Sequence, residues 1–342
     1  MSPQFVDFNA DGQLDIVAGT FDGSPHVAWG SAKGWNQPEQ ILDRDGARIV
    51  INQFWNFDSK KWDSTKRCDP QDVQLAEGHL TSAWAVDWDG DGDLDLLLGD
   101  HTAGYVYLRV NEGATRAPAF ATRNRVLLCE GKPLKVEGTV ATLQVLDWNG
   151  DGQLDLLCSS MGDAYSDKPG GGVFLYPGIG TSKAPALGAP ITLVAISKKG
   201  GHAPTRPDSG LYAEAFDHDG DGDLDLLVGG YSHWVPPAIE LTEAQSKHAA
   251  ELRASIEALD KENQAFFEEI QKAVEGLGDE AANKKRTELY EARREELATR
   301  SKRRTALQDE LEALVPGPKR QSFVWLYENT TAPAVPADGT RR

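Results

Sequence analysis

Sixteen aspartates of this 342-residue chain lie in four nine-residue segments that are copies of one another. They run Asp7 to Asp15, Asp87 to Asp95, Asp147 to Asp155 and Asp217 to Asp225, and share the pattern D-x-[DN]-x-D-G-x-L-D. Carboxylates crowded this closely repel one another unless a counter-ion sits among them, and a hard divalent cation with oxygen ligands answers that need, Ca²⁺ best of all. The expected donors are side chains at positions one, three and five: Asp7, Asn9 and Asp11; Asp87, Asp89 and Asp91; Asp147, Asn149 and Asp151; Asp217, Asp219 and Asp221. Position six is Gly12, Gly92, Gly152 or Gly222, where the chain must turn sharply. Position seven (Gln13, Asp93, Gln153, Asp223) is expected to offer its backbone carbonyl, which allows its side chain to vary. Position nine (Asp15, Asp95, Asp155, Asp225) is expected to close the cage. Up to four Ca²⁺ ions are therefore anticipated.

An EF-hand starts in the same way but requires a bidentate Glu at position twelve. Here that position holds Ala18, Leu98, Cys158 and Val228, none of which has a side-chain carboxylate to bind calcium. Each loop is instead followed by a short apolar run, such as Leu96-Leu97-Leu98-Gly99, and preceded by another, such as Trp84-Ala85-Val86. The loop thus joins two strands of a hairpin. Further strands are expected at His26 to Trp29, Arg48 to Ile51, Gly104 to Val110, Arg125 to Leu128, Gly172 to Tyr176, Ile191 to Val194 and Phe323 to Tyr327. The loops begin at 7, 87, 147 and 217, so three or four short strands recur in each unit. That grammar belongs to β-propeller blades, whose repeated sheets bury their faces against one another.

The loop, with the V-x-L-Y-x-N type of strand that follows it, resembles the FG-GAP or VCBS repeat over roughly residues 1–234 and 320–335. That resemblance implies a mainly β, propeller-like array of four blades, with the loop side chains as calcium ligands. It implies adhesion, ligand binding or scaffolding more often than catalysis. Four repeats are compatible with a four-bladed ring, an open array or a portion of a larger propeller.

Between Trp234 and Lys319 the composition changes: glycine nearly vanishes and Ala, Glu, Lys, Arg and Leu dominate. The expected organisation is a repeat domain over 1–234 and 319–342, interrupted by a helical hairpin over 235–318. Thr242 to Gln245 reads as a capping box. Leu252, Ile256, Leu259, Phe266, Ile270, Ala273 and Leu277 recur in steps suited to one helix face, with a polar slot at Asn263. Gly276 to Gly278 forms the turn, and Leu289, Leu297, Leu307, Leu311 and Leu314 mark the return leg of an antiparallel coiled coil. The basic cluster of Arg293, Arg294, Arg300, Arg303 and Arg304 is available for an acidic surface, including a second copy of this chain.

The chain holds 35 Lys+Arg and 53 Asp+Glu, a net charge of −18, which disfavours nucleic acid as a partner. Nine Trp, eleven Phe and eight Tyr exclude global disorder. Cys68, Cys129 and Cys158 are too few for a disulfide framework and read as small core residues. No apolar run approaches the roughly 20 residues of a membrane span, and the first residues show no signal-peptide pattern. The seven histidines are scattered, and no H-E-x-x-H, G-x-S-x-G, P-loop or CxxC motif occurs. Trp88, Trp148 and His218 occupy position two of their loops, where packing is the expected role, and Asn329-Thr330-Thr331 matches a glycosylation sequon. The expectation is a secreted, non-enzymatic calcium-binding module for protein interaction, adhesion or scaffolding, extracellular or periplasmic, with a protein or glycan partner. Its alternatives are a lectin-like carbohydrate binder and a calcium-assisted polysaccharide lyase or hydrolase.

Overall fold

A computed structural model describes residues 3–71, 75, 78–162, 170–196, 206–234, 236–237, 239–317 and 319–330. Sequon residue Thr331 and the turn at Pro333 lie outside them. The chain divides into two compact units, Met1–Trp234 with Arg320–Arg342, and Val235–Lys319.

The first unit is a series of antiparallel sheets. The first sheet orders β1 (Pro3–Val6), β2 (Asp15–Gly19), β3 (Pro25–Ala28) and β4 (Glu39–Gln40) in sequence. A separate hairpin, β5 (Gln53–Asn56) with β6 (Lys61–Ser64), follows. The second sheet contains β7 (Leu80–Val86), β8 (Asp95–Asp100), β9 (Val106–Arg109) and β10 (Arg125–Val126), again in sequential order. After the small hairpin β11 (Leu128–Cys129) and β12 (Lys132–Pro133), the third sheet holds β13 (Thr142–Leu146), β14 (Asp155–Ser159), β15 (Val173–Tyr176) and β16 (Ile191–Val194). The fourth has three strands, β17 (Ser209–Phe216), β18 (Asp225–Trp234) and, after the helices, β19 (Lys319–Tyr327). The molecule is therefore mainly β.

Three apolar clusters hold these sheets together, one per junction. Val17, Val27, Ile49 and Ile51 meet Leu80, Leu96, Leu98 and Tyr107 between the first and second sheets. Leu97, Val106 and Leu108 meet Leu143, Leu156, Cys158 and Phe174 between the second and third. Leu157, Val173 and Leu175 meet Leu211, Ala213, Leu226 and Val228 between the third and fourth. No such cluster joins the fourth sheet to the first among the described residues. The second strand of each inner sheet is covered on both faces. This is why β8 reads as an unbroken apolar run and is buried along its whole length.

Backbones of neighbouring sheets approach closely where the central strands end. A Cβ added at Gly19 would lie 2.6 Å from the Ser82 nitrogen, and one at Gly99 would lie 2.2 Å from the Ala141 carbonyl oxygen. The glycines that close these apolar runs are thus contact points for the next sheet. Gln4 of β1 adds a polar tie: its amide donates to the Ala85 carbonyl at 2.8 Å and accepts from the Ala85 N–H at 2.6 Å, across the junction to β7. Gln144 of β13 makes the same pair of bonds to Ala215 of β17, at 3.2 and 2.8 Å.

Two strand expectations are corrected. Arg48 to Ile51 is not a ladder strand; β4 takes the outer place, and only an isolated bridge links Leu42 to Arg48. Ile49, Val50 and Ile51 are all buried, which alternation in a sheet edge cannot achieve, and Arg48 is held by Asp22 and by the Asp22 and Trp55 carbonyls. The expected strand Arg125 to Leu128 splits: Val126 pairs with β9, while Leu128 turns away to pair with Pro133.

The second unit contains helices α1 (Glu243–Val274), α2 (Asp279–Ala292) and α3 (Arg294–Leu314). Thr242 caps α1 in a reciprocal capping box with Gln245. Leu252, Ile256, Leu259, Phe266 and Ile270 form its buried face, whereas Leu277 is exposed. The return leg is two helices, not one: Arg293, with φ −117° and ψ 14°, interrupts it. Three of the five arginines of the basic cluster are tied within this unit. Arg293 pairs with Glu269 at 2.9 Å, Arg300 with Glu262 at 3.0 Å and Arg304 with Asp260 at 2.7 Å, all back onto α1. Arg300 also donates to Asn263 at 3.1 Å, which accounts for the polar slot in the apolar face.

The close approach at Gly99 makes a prediction. Gly99→Ala forces the second and third sheets apart and should cost about 1–3 kcal/mol, read by urea denaturation, whereas Gly34→Ala, with nothing near its Cβ position, should cost only the strain of its positive φ.

Candidate metal loops

Each acidic segment connects the first two strands of its sheet: β1 to β2, β7 to β8, β13 to β14, and β17 to β18. The chain reverses there through left-handed backbone at two positions. Position six has φ of 88°, 97°, 81° and 95° at Gly12, Gly92, Gly152 and Gly222. Position four is left-handed too, at Ala10, Gly90, Gly150 and Gly220, so Ala10 carries strain that the three glycines avoid. Glycine at position four in three of the four copies was the sequence signal for this second turn.

Within the loops the carboxylates fold onto backbone N–H groups. The position-one carboxylate accepts from the position-six N–H in every copy: Asp7 from Gly12 at 2.9 Å, Asp87 from Gly92 at 3.1 Å, Asp147 from Gly152 at 2.9 Å and Asp217 from Gly222 at 3.2 Å. Position five likewise accepts from position seven, as Asp11 does from Gln13, Asp91 from Asp93, Asp151 from Gln153 and Asp221 from Asp223, at 2.8 to 3.0 Å. Asn9 and Asn149, at position three, accept from the position-five N–H and donate to its carboxylate. Asp219 accepts the matching N–H at 3.2 Å.

The two all-aspartate loops differ from the other two. Asp87, Asp89 and Asp91 bring carboxylate oxygens within 4.8 Å of one another, and so do Asp217, Asp219 and Asp225. No comparable carboxylate group occurs in the first and third loops among the described residues, because Asn9 and Asn149 replace one acid and Gln13 and Gln153 another. In the second loop, Asp89 Oδ1, Asp93 Oδ1 and Asp95 Oδ2 are buried without a hydrogen-bond partner; in the fourth, both oxygens of Asp223 are. Burial and then the neighbouring Asp91, Asp89 and Asp87 push the Asp93 carboxyl up to about 6. Burial pushes Asp95 up to about 7. Orphaned, crowded oxygens of this kind fit a hard cation. They also show that the position-seven side chain, and not only its carbonyl, faces the cluster in these two loops.

Position nine has a role that the spacing did not disclose. Asp15 accepts from the Phe8 N–H at 2.9 Å and from the Gly30 N–H at 2.7 Å. Asp155 does the same with Trp148 at 2.8 Å and Gly178 at 2.6 Å, and Asp225 with His218 and Asn329, both at 2.9 Å. Asp95 accepts from the Asn111 N–H at 2.7 Å. The last aspartate therefore clamps the loop to the end of the third strand. The N or G that ends each V-x-L-Y-type strand was the available sequence signal. Packing at position two is as expected for Trp88, which is buried between the second and third sheets, and His218 meets Phe216 edge-to-face.

This geometry coincides with a family pattern. Residues 87–158 match the FG-GAP-like repeat family. The matched stretch runs from the first aspartate of the second loop, through β8 to β10 of the second sheet, to β14 beyond the third loop. No curated protein and no solved structure matches the chain. No helix among the described residues is long and apolar enough to cross a membrane.

The clamp can be tested apart from any metal. Asp155→Ala strands two N–H groups beside a side chain only 1 % exposed, and should cost about 2–4 kcal/mol in urea unfolding, in EDTA as well as in calcium.

Proposed function

We propose that the chain is a calcium-binding module of propeller-like FG-GAP repeats that serves protein interaction or adhesion without catalysis. The observation that carries this reading is the set of buried, unpartnered carboxylate oxygens in the second and fourth loops. Asp87, Asp89, Asp91, Asp93 and Asp95, and Asp217, Asp219, Asp221, Asp223 and Asp225, would hold the ions, and calcium would supply the positive charge that these loops lack. The first and third loops, with three carboxylates each, would bind more weakly, since ligand charge sets affinity. Four bound ions would add eight charges and reduce −18 to −10. The modest affinity of exposed loops suits an extracellular or periplasmic setting, where calcium is plentiful.

Calcium titrated into EDTA-treated protein should bind and raise the melting temperature, each site contributing about 2.7 kcal/mol at one hundred times its Kd. Asp89→Asn and Asp219→Asn should each remove one of the tighter sites in calorimetry. Absence of binding heat together with an unchanged melting temperature would refute the reading.

A carbohydrate-binding reading has its own support. Phe21, Trp55, Phe57 and Trp62, with Asp22, surround an open pocket of about 390 Å³ built by the β2–β3 turn and the β5–β6 hairpin. Phe21, Phe57 and Trp62 are exposed, and Phe21 meets Trp62, His79 and His101 edge-to-face. Aromatic faces of this kind stack on the apolar faces of sugar rings. A glycan array should then show ligands that Trp62→Ala loses while its melting temperature holds; an empty array removes this second reading.

A further inference from the structure

Arg109, at the end of β9, is fully buried and has no carboxylate partner among the described residues. Its Nε donates to Asn124 Oδ1 at 2.9 Å and its Nη1 to the Ala121 carbonyl at 2.6 Å, while Nη2 donates to nothing. A guanidinium withdrawn from water is costly unless a counter-charge balances it. Other half-buried arginines of the chain meet that need, Arg48 with Asp22 and Arg67 with Asp43.

The missing counter-charge has a place to come from. Ala121 and Asn124, the two groups that hold Arg109, line an open groove of about 510 Å³ beside β10, and Arg44, Arg123 and Arg125 line it too. Arg44 pairs with Glu112, the one carboxylate on that wall among the described residues. Arg123 donates to the Asp69 carbonyl at 3.0 Å, and Arg125 is exposed with no partner among the described residues. Three guanidinium groups therefore line this groove, with that of Arg109 buried behind it, against one carboxylate among the described residues, in a chain of net charge −18. Val126 and Leu128 supply an apolar face, Leu128 being exposed.

We propose that this groove is a binding site for a small oxyanion ligand, a carboxylate or sulfate carried on a body with an apolar face. Arg123 and Arg125 contact the oxyanion, and Arg109 supplies a fixed positive charge one hydrogen bond behind the groove wall. Guanidinium forks match both oxyanions in geometry and charge. The negative field of the rest of the chain excludes a long polyanion, so the ligand carries one or two charges.

Calorimetric titration of the full chain, in calcium-containing buffer at constant ionic strength, with sodium sulfate and with sodium succinate, tests the site. Saturable one-to-one binding is expected, weakened about five- to tenfold by Arg123→Gln and by Arg125→Gln. Arg116→Gln, outside the groove lining, should leave it unchanged. Binding of sulfate alone assigns the site to sulfate esters, and of succinate alone to carboxylates; either result supports the proposal. Failure of both ions to bind, or binding indifferent to both groove variants, overturns it.

Discussion

The structure depends on how it accommodates carboxylates packed into nine-residue turns. Repulsion among them would open the loops, and two forces oppose it. Backbone N–H groups turned inward by left-handed residues bind the oxygens at positions one and five. The last aspartate also ties the loop to the third strand. The same nine residues thus set the turn between two strands and the register of a third. Where the acids are fewest, in the first and third loops, asparagine amides complete the hydrogen bonding. Where every odd position is aspartate, oxygens remain unpartnered.

Alternation between these loop types runs through the packing as well. The first and third sheets carry Gln4 and Gln144 three residues before their loops, and each amide bonds the first strand of the following sheet. The second sheet carries Trp84 at that position, packed against the second–third junction. Junctions that follow an asparagine-type loop are therefore tied by amides and apolar contact together. The junction between the second and third sheets relies on its apolar cluster and on the close approach at Gly99. Four sheets stacked in this way need no long-range closure to bury their inner faces, which is consistent with nearest-neighbour stabilisation in repeat proteins.

Much of this was legible in the residues because its causes are local. A fixed loop pattern with glycine at position six encodes a turn, and continuous apolar runs encode the doubly covered strands such as β8. The capping box at Thr242 and the apolar steps of α1 are equally local. What the sequence hid depends on distant partners. Asp15 and Asp155, expected as ligands, also act as clamps, a role the spacing hid because Gly30 and Gly178, which bond them, lie 15 and 23 residues away. Arg48 to Ile51 looked like a strand and is core, because Asp22 captures the arginine from another turn. Arg293, Arg300 and Arg304 read as part of a free basic face, but acids that pair with them lie on α1, across the hairpin. The β5–β6 hairpin and its aromatic pocket follow no repeat pattern and were not foreseen.

Charge placement separates the parts of this acidic chain. Acids of the loops face one another and lack local cations, so their negative charge can be met by divalent ions from solution. Acids of the helices face arginines three to four residues along α3 or across to α1, and surface pairs of that type are nearly self-cancelling. The second sheet carries an all-aspartate loop at one end of β8, and its pairing sets the buried Arg109 opposite Leu96 and the exposed Arg125 opposite Leu108, near that same end. An all-apolar side chain at 109 would fill the same core without the desolvation cost of a guanidinium. The guanidinium instead organises Asn124 and the Ala121 carbonyl, and Asn124 in turn donates to the Val50 carbonyl at 3.0 Å, joining the first sheet's core segment to the groove wall. A positive charge at that point therefore fixes the wall's shape and sets its potential at once, and only the second of these functions requires the charge.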